Sequence, residues 1–154
     1  MTAQALIRGL QAQGLTVATC ESLTGGMICA ALVDVPGASR VVRGGLITYQ
    51  TDTKSLLAGV DTGLIETHGV VSAEVARAMA AGARDALHAD IAVSATGMAS
   101  PGEIGDPPAG TVFVGLASEK DVRAIELHLT GDRQAVRQQT VDAAIKLIGQ
   151  EIGI

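Results

Sequence analysis

Apolar and polar positions along the chain follow two periods, one typical of helices and one typical of strands. Apolar residues at helical spacing, the pattern of a helix with one buried face, occur in residues 2–13, 24–34, 71–89 and 131–152. Short apolar runs rich in β-branched residues, typical of buried strands, occur in residues 15–20, 44–50, 90–97, 111–118 and 122–130. The predicted order is therefore α-β-α-β-α-β-β-β-α.

The connections decide how these elements assemble. Residues 119–121 join the last two strands by a very short turn, and such turns join antiparallel neighbours. Residues 51–60 are predicted to be a polar turn. Residues 97–110, with four glycines and three prolines, are predicted to be a loop. We predict one domain over residues 1–154, a three-layer α/β/α sandwich with a five-stranded mixed, mostly parallel sheet.

Composition excludes several function classes. The chain is 47% hydrophobic and carries a formal net charge of −5, with no basic run that could neutralise a series of phosphates, so nucleic acid is not an expected partner. No apolar stretch is long enough for a membrane span, and a cytoplasmic protein is expected. The two cysteines, Cys20 and Cys29, form no C-x-x-C motif and are predicted to be small buried residues.

Candidate chemistry follows the predicted strands. Ligand sites of largely parallel sheets lie where strands end and helices begin, which brings together residues 20–26, 49–54 and 96–110. In the first segment, Thr24 is expected to cap a helix whose first turn contains Gly25 and Gly26. Their free N–H groups suit an anion. A tight turn that only packs helix against strand is the alternative interpretation.

The last predicted helix carries a second anion signal. Arg133 and Arg137 lie four residues apart near its start, where cations are disfavoured by the helix dipole. A bound phosphate would explain this placement. Two solvated arginines, paired with neighbouring aspartates, are the alternative.

Hydroxyl and amine side chains indicate acyl transfer. Ser39, Tyr49 and Lys54 lie in or beside the loops of this edge, and a serine beside a neutral lysine can attack a carbonyl. A turn serine, a strand-end tyrosine and a surface lysine are the simpler interpretation. The three histidines are scattered in sequence and predict no metal site.

Seven segments in order carry a family resemblance. They read ESLTGG (21–26), DVPGAS (34–39), GGLITYQTDTK (44–54), THGVVSAEVARAMAAGAR (67–84), TGMASPG (96–102), GTVFVGLA (110–117) and GDRQAVRQQ (131–139). Together they resemble the C-terminal domain of the competence/damage-inducible CinA proteins and the standalone nicotinamide mononucleotide deamidases of the PncC type. The resemblance implies a three-layer α/β/α domain that hydrolyses the amide of nicotinamide mononucleotide (NMN) to nicotinic acid mononucleotide and ammonia in NAD salvage. It implies no metal and no organic cofactor.

The resemblance also implies site residues, to which we assign roles as hypotheses. Ser39 is expected to attack the carboxamide with Lys54 as base and Tyr49 orienting or relaying a proton, and Ser22 is the rival nucleophile. Either Arg133 or Arg137 is expected to bind the phosphate. The remaining expected substrate contacts are Glu21, Thr24, Gly25, Gly26, Thr96 and Gly97.

The chain departs from the family pattern at Leu23, where Cys is frequent, at Ser100, where Gly is usual, and in the PPAG segment at 107–110. Two other functions therefore stay open. One is a non-catalytic protein that binds a pyridine nucleotide or another phosphorylated small molecule. The other is an interaction module in competence or DNA damage. A homo-oligomer is expected from the frequency of such assemblies.

Overall fold

A five-stranded sheet forms the centre of the protein. The computed structural model describes residues 1–154, and its strands are β1 (Val17–Glu21), β2 (Val42–Ile47), β3 (Ile91–Gly97), β4 (Thr111–Ala117) and β5 (Val122–His128). Their order across the sheet is β2-β1-β3-β4-β5. β1 pairs in parallel with both β2 and β3, whereas β4 is antiparallel to β3 and β5. The predicted mixed, mostly parallel sheet is confirmed, with β4 as the opposing strand.

Helices cover both faces of this sheet. They are α1 (Ala3–Gln13), α2 (Met27–Val33), α3 (Thr51–Ala58), α4 (Thr62–His68), α5 (Ala73–Leu87) and α6 (Arg133–Glu151), with a 3₁₀ turn at Ala38–Arg40. One apolar cluster joins α1, α2 and α6 to one sheet face, and a second joins α3, α4 and α5 to the other. Successive strand residues alternate between them, as Val17 and Ala18 do. The three-layer α/β/α prediction is therefore confirmed.

Helix ends follow the local sequence signals. Ser72 begins α5 as predicted, because its hydroxyl accepts a hydrogen bond from the Val75 N–H. Gly14 ends α1 in the left-handed conformation that a residue without a Cβ adopts readily. These ends agree with the predicted ends to within two residues.

The start of α2 differs from the prediction. The helix begins at Met27 rather than at residue 24, because Gly25 and Gly26 have positive φ angles of 57° and 102°. Thr24 consequently lies outside the helix and its side chain caps nothing. The glycines form a left-handed turn between β1 and α2.

Residues 51–60 contain a helix where a polar turn was predicted. In α3 the buried positions are Lys54 and Ala58, whereas Leu56 and Leu57 are exposed by 74% and 49%. This arrangement inverts the usual amphipathic pattern, and so hydrophobic periodicity did not reveal the helix. The burial of a lysine within it requires a local explanation.

Two further sequence predictions concern the cysteines and the membrane. Both cysteines are free; Cys20 is buried as predicted and Cys29 is half-buried. None of the helices combines the length and apolar character that crossing a bilayer requires.

Candidate active site

A pocket of about 710 Å³ opens at the carboxyl-terminal edge of β1, β2 and β3. The segments that follow these three strands line it together with the start of α6, as expected for a sheet whose neighbouring strands run parallel. Five of the predicted site residues lie in its wall: Ser22, Tyr49, Thr96, Gly97 and Arg133.

Ser22 and Lys54 meet at the base of this pocket. Ser22 follows β1 directly and lines the pocket, while Lys54 lies behind it on α3 with no exposed surface. The Lys54 Nζ donates hydrogen bonds to Ser22 Oγ at 3.1 Å and to the Thr48 carbonyl at 2.7 Å. The structure thus joins a serine hydroxyl to an amine that is shielded from water.

The surroundings of Lys54 disfavour its charged form. Burial lowers the pKa of its amine below the ordinary lysine value. Its side chain forms no ion pair with a carboxylate. Nearby, burial raises the pKa of the Cys20 thiol to about 11, so this thiol is protonated at neutral pH. Lys54, and not Cys20, is therefore the group able to exchange a proton with Ser22.

The predicted partnership of Ser39 with Lys54 is wrong. Ser39 lies in the 3₁₀ turn that precedes β2, on the side of the sheet where β1, β2 and β3 begin. Lys54 comes after β2, on the side where these strands end. The six residues of β2 separate its two ends by about 20 Å. Ser39 is exposed in a separate groove that it shares with Val33 and Arg43. The geometry selects Ser22, the rival nucleophile, as the serine beside the lysine.

Glu21 has a structural role in place of the predicted substrate contact. Its fully buried carboxylate accepts hydrogen bonds from the N–H groups of Ile28 and Cys29, at 2.8 and 3.0 Å, and from the Thr19 hydroxyl at 3.0 Å. It thereby satisfies the first free donors of α2 and complements the positive end of that helix. The negative charge at the start of α2 is therefore the Glu21 carboxylate, and not a bound ligand anion as predicted.

The same capping removes the predicted anion cradle at residues 24–26. Thr24, Gly25 and Gly26 do not line the pocket. Arg137 crosses from α6 and donates to the carbonyls of Leu23 at 2.8 Å and Thr24 at 3.2 Å. Arg137 is therefore a clamp that holds the loop after Ser22.

Arg133 is the arginine that faces the pocket. Its guanidinium donates to the Tyr49 hydroxyl at 2.9 Å and to the Ser100 hydroxyl at 3.2 Å. The Tyr49 hydroxyl thus contacts Arg133, whereas the prediction placed it between a serine and Lys54. Tyr49 and Arg133 form one wall of the pocket, separate from the contact between Ser22 and Lys54.

Thr96 and Gly97 end β3 on the pocket wall. The Thr96 hydroxyl donates to the Val70 carbonyl at 2.9 Å, which ties β3 to the segment before α5. A Cβ added at Gly97 would lie 2.8 Å from the Thr111 carbonyl oxygen, so only glycine fits against β4 here. Both residues shape the pocket.

Four polar residues of the pocket were not among the predicted site residues: Thr51, His68, Ser100 and Asp106. His68 ends α4 beside Glu74, with Nδ1 and the carboxylate oxygen 3.8 Å apart. Ser100 and Asp106 lie in the predicted loop, where the sequence carries no periodic signal. Their one recognisable sign was the departure from the family pattern at Ser100.

Comparison with known proteins agrees with this architecture. The family model described as the CinA C-terminal domain matches residues 1–152. A competence-damage inducible protein of Streptococcus gordonii is 44% identical over 140 residues, which is 90% of this chain and 34% of the relative. A CinA-like protein of Frankia casuarinae is 40% identical over 146 residues, covering 94% of this chain and 34% of the relative. The chain thus spans about a third of the length of these curated relatives.

Solved structures match over a larger share of their length. The competence/damage inducible protein CihA of Agrobacterium tumefaciens has a TM-score of 0.93 and 34% identity, over 99% of this chain and 93% of that one. A CinA superfamily protein of Escherichia coli has a TM-score of 0.93 and 29% identity, over 97% of this chain and 87% of that one.

Proposed function

Since the chain belongs to the CinA C-terminal domain family, we propose that it is an amidohydrolase that converts NMN to nicotinic acid mononucleotide and ammonia. The observation that carries this proposal is the hydrogen bond of 3.1 Å between the Lys54 Nζ and Ser22 Oγ. A desolvated amine beside a pocket-lining serine is the arrangement that Ser–Lys acyl transfer requires.

The first half of the reaction acylates Ser22. The neutral amine of Lys54 takes the hydroxyl proton as the Ser22 Oγ attacks the carboxamide carbon, and the carbonyl electrons move to oxygen. When the tetrahedral intermediate collapses, the Lys54 ammonium returns the proton to the departing nitrogen. The C–N bond breaks, ammonia leaves, and an ester joins the nicotinoyl group to Ser22.

The second half releases the acid. A water molecule attacks the ester carbon while Lys54 accepts its proton, and the C–O bond to Ser22 breaks with that proton returned to the serine. The sum is amide plus water to acid plus ammonia, so atoms and charge balance without a redox partner. The low pKa expected from burial matters in both halves, because it increases the neutral fraction of Lys54 at neutral pH.

A backbone donor beside Ser22 suits the developing oxyanion. The Leu23 N–H donates to no acceptor of the protein, and it belongs to the residue after the proposed nucleophile. Arg137 holds the Leu23 carbonyl at 2.8 Å and so fixes the orientation of this segment. We assign the Leu23 N–H as the oxyanion donor and Arg137 as a positioning residue.

The remaining wall suits the other end of a mononucleotide. A volume of about 710 Å³ falls in the range of small-molecule sites. Arg133 supplies a positive charge on the same pocket as Ser22, which suits a phosphomonoester. The substrate proposed here therefore lies with its amide at Ser22 and its phosphate at Arg133.

Ammonia release from NMN by the purified protein tests the proposal. We expect release by the unmodified protein and none by Ser22→Ala. The absence of release by the unmodified protein, combined with calorimetric binding of NMN, would replace the amidase with a nucleotide-binding function. Release without loss in Ser22→Ala would leave the function and overturn the mechanism.

A further inference from the structure

We propose that Ser100 is a positioning residue that holds Arg133 for a phosphomonoester and makes the pocket select phosphorylated over unphosphorylated amides. This inference rests on the proposed function and adds to it a specificity determinant. Its basis is the contact between Ser100 Oγ and the Arg133 guanidinium at 3.2 Å.

The hydrogen-bond partners of Arg133 leave its charge available. Both acceptors, the hydroxyls of Tyr49 and Ser100, are neutral, and Arg133 forms no ion pair with a carboxylate. An arginine carries five N–H donors in a planar fork. Two of them are occupied here, so the other three remain for a ligand. A guanidinium that is held in place without being neutralised suits a dianionic phosphate.

Arg137, one helical turn further along α6, provides an internal contrast. Its guanidinium is occupied by the carbonyls of Leu23 and Thr24 and by the Gln134 side chain. It does not line the pocket. Anion selection at this site therefore depends on Arg133 and on the groups that orient it.

Ser100 is also the polar link between the pocket loop and the body of the protein. Between Ala99 and Pro107, the contact from Arg133 is the one hydrogen bond that reaches outside the loop. The same loop lines the pocket through Pro101, Gly105, Asp106 and Pro107. Loss of the Ser100 hydroxyl consequently releases both the loop and one side of the Arg133 fork, and both changes affect the phosphate end.

Steady-state kinetics of Ser100→Ala tests this role, with NMN and its unphosphorylated counterpart nicotinamide riboside as substrates. Because Arg133 keeps its hydrogen bond to Tyr49, only part of the energy of the Ser100 contact should be lost to phosphate binding. KM for NMN should therefore rise about 3- to 10-fold, less than the full value of a hydrogen bond to a charged group, with a much smaller effect on kcat. Activity on the riboside should stay at the level of the unmodified protein. Ser100→Thr keeps the hydroxyl, so its KM for NMN should equal that of the unmodified protein. Ile104→Ala, at the fully exposed tip of the same loop, is the matched control.

A rise in KM that is equal for both substrates would overturn the proposal, because it would show a general effect of the loop. So would an unchanged KM for NMN in Ser100→Ala.

A binding measurement separates failure of this inference from failure of the proposed function. Calorimetric titration with ribose 5-phosphate and with ribose requires no catalysis. We expect Ser100→Ala to weaken ribose 5-phosphate about 3- to 10-fold without changing the response to ribose. If no ammonia is released from NMN but this difference appears, the amidase proposal fails and the role of Ser100 stands. If ammonia is released and the variant binds ribose 5-phosphate as the unmodified protein does, the role of Ser100 is overturned alone.

Discussion

The Lys54 Nζ lies 3.1 Å from Ser22 Oγ although the two residues are 32 positions apart in the chain. Ser22 directly follows β1 and Lys54 belongs to α3, which follows β2. The contact exists only because β1 and β2 run parallel and therefore end on the same side of the sheet. The amine is fully buried, whereas the serine reaches the pocket. Most of the predictions below follow from this arrangement, in which the buried amine lies behind the serine hydroxyl.

Replacement of Ser22 by alanine should abolish ammonia release from NMN. When catalytic residues act together, removal of the nucleophile lowers kcat by at least about 10³-fold. The matched variant Ser39→Ala should keep its activity, because Ser39 precedes β2 and so lies at the opposite end of that strand from the pocket. Ammonia assays on both variants check this, and loss of activity in Ser39→Ala alone would contradict the assignment.

Replacement of Lys54 by methionine should abolish activity while leaving the protein folded. Methionine fills a similar volume without a buried amine, but the Thr48 carbonyl loses its donor at 2.7 Å. Because these two effects oppose each other, the free energy of unfolding should change by no more than about 1–2 kcal/mol. Chemical denaturation combined with ammonia assays measures stability and activity. Lys146→Met, at an exposed position of α6, is the control and should change neither. A large loss of stability in Lys54→Met would indicate a structural role for the amine.

The pH profile should report the titration of Lys54. Because the neutral amine is the proposed base, kcat/KM should rise with pH about tenfold per unit until the pKa of Lys54 is reached. Burial lowers that pKa, so the plateau should begin below the ordinary lysine value. A profile that is flat over the whole pH range in which the protein stays folded would exclude Lys54 as the titrating base.

Stability should vary with pH through the same group. A lysine whose pKa is lower in the folded state favours the unfolded chain once that chain binds the proton. The unmodified protein should therefore lose stability as pH falls from the unfolded pKa to the folded pKa, and should show no further loss from this group below it. Lys54→Met lacks the group, so its free energy of unfolding relative to that of the unmodified protein should increase as pH falls through that window. A difference between the two proteins that is constant with pH in denaturation experiments would contradict this linkage.

Glu21→Gln should destabilise the protein and disturb the site indirectly. The Glu21 carboxylate accepts the N–H groups of Ile28 and Cys29 at once, which the amide nitrogen of glutamine cannot do. We expect the free energy of unfolding to fall by about 1–3 kcal/mol. Glu66→Gln, at an exposed position of α4, should have little effect. Equal stability of the two variants would show that the cap contributes little.

Substitutions of the two arginines of α6 should have different effects on activity and stability. Arg133→Met should raise KM for NMN about 10-fold or more, because a charged contact to phosphate is lost. Arg137→Met should instead lower stability by about 1–2 kcal/mol and reduce kcat, since the loop after Ser22 loses its clamp. Kinetics and unfolding measured on both variants distinguish these outcomes. The same phenotype in both would mean that the two side chains act as a unit.

Much of the fold was predictable because local chemistry specifies it. Ser72 caps α5, Gly14 ends α1, and the short turn at residues 119–121 predicts antiparallel neighbours; all three appear in the structure. Helix α3 was missed because its buried face carries Lys54 while Leu56 is exposed. A buried lysine thus removed the periodic signal on which sequence reasoning depends.

The sequence by itself determined the order of the strands and of the helices other than α3 and α4, the family, and most of the residues from which a site could be built. Tertiary structure chose among them. Ser22 rather than Ser39 meets Lys54, because one serine follows a strand and the other precedes one, and parallel strands place those positions at opposite edges. Arg133 rather than Arg137 faces the pocket. Such choices depend on distances between segments far apart in the chain, and residue spacing carries no information about them.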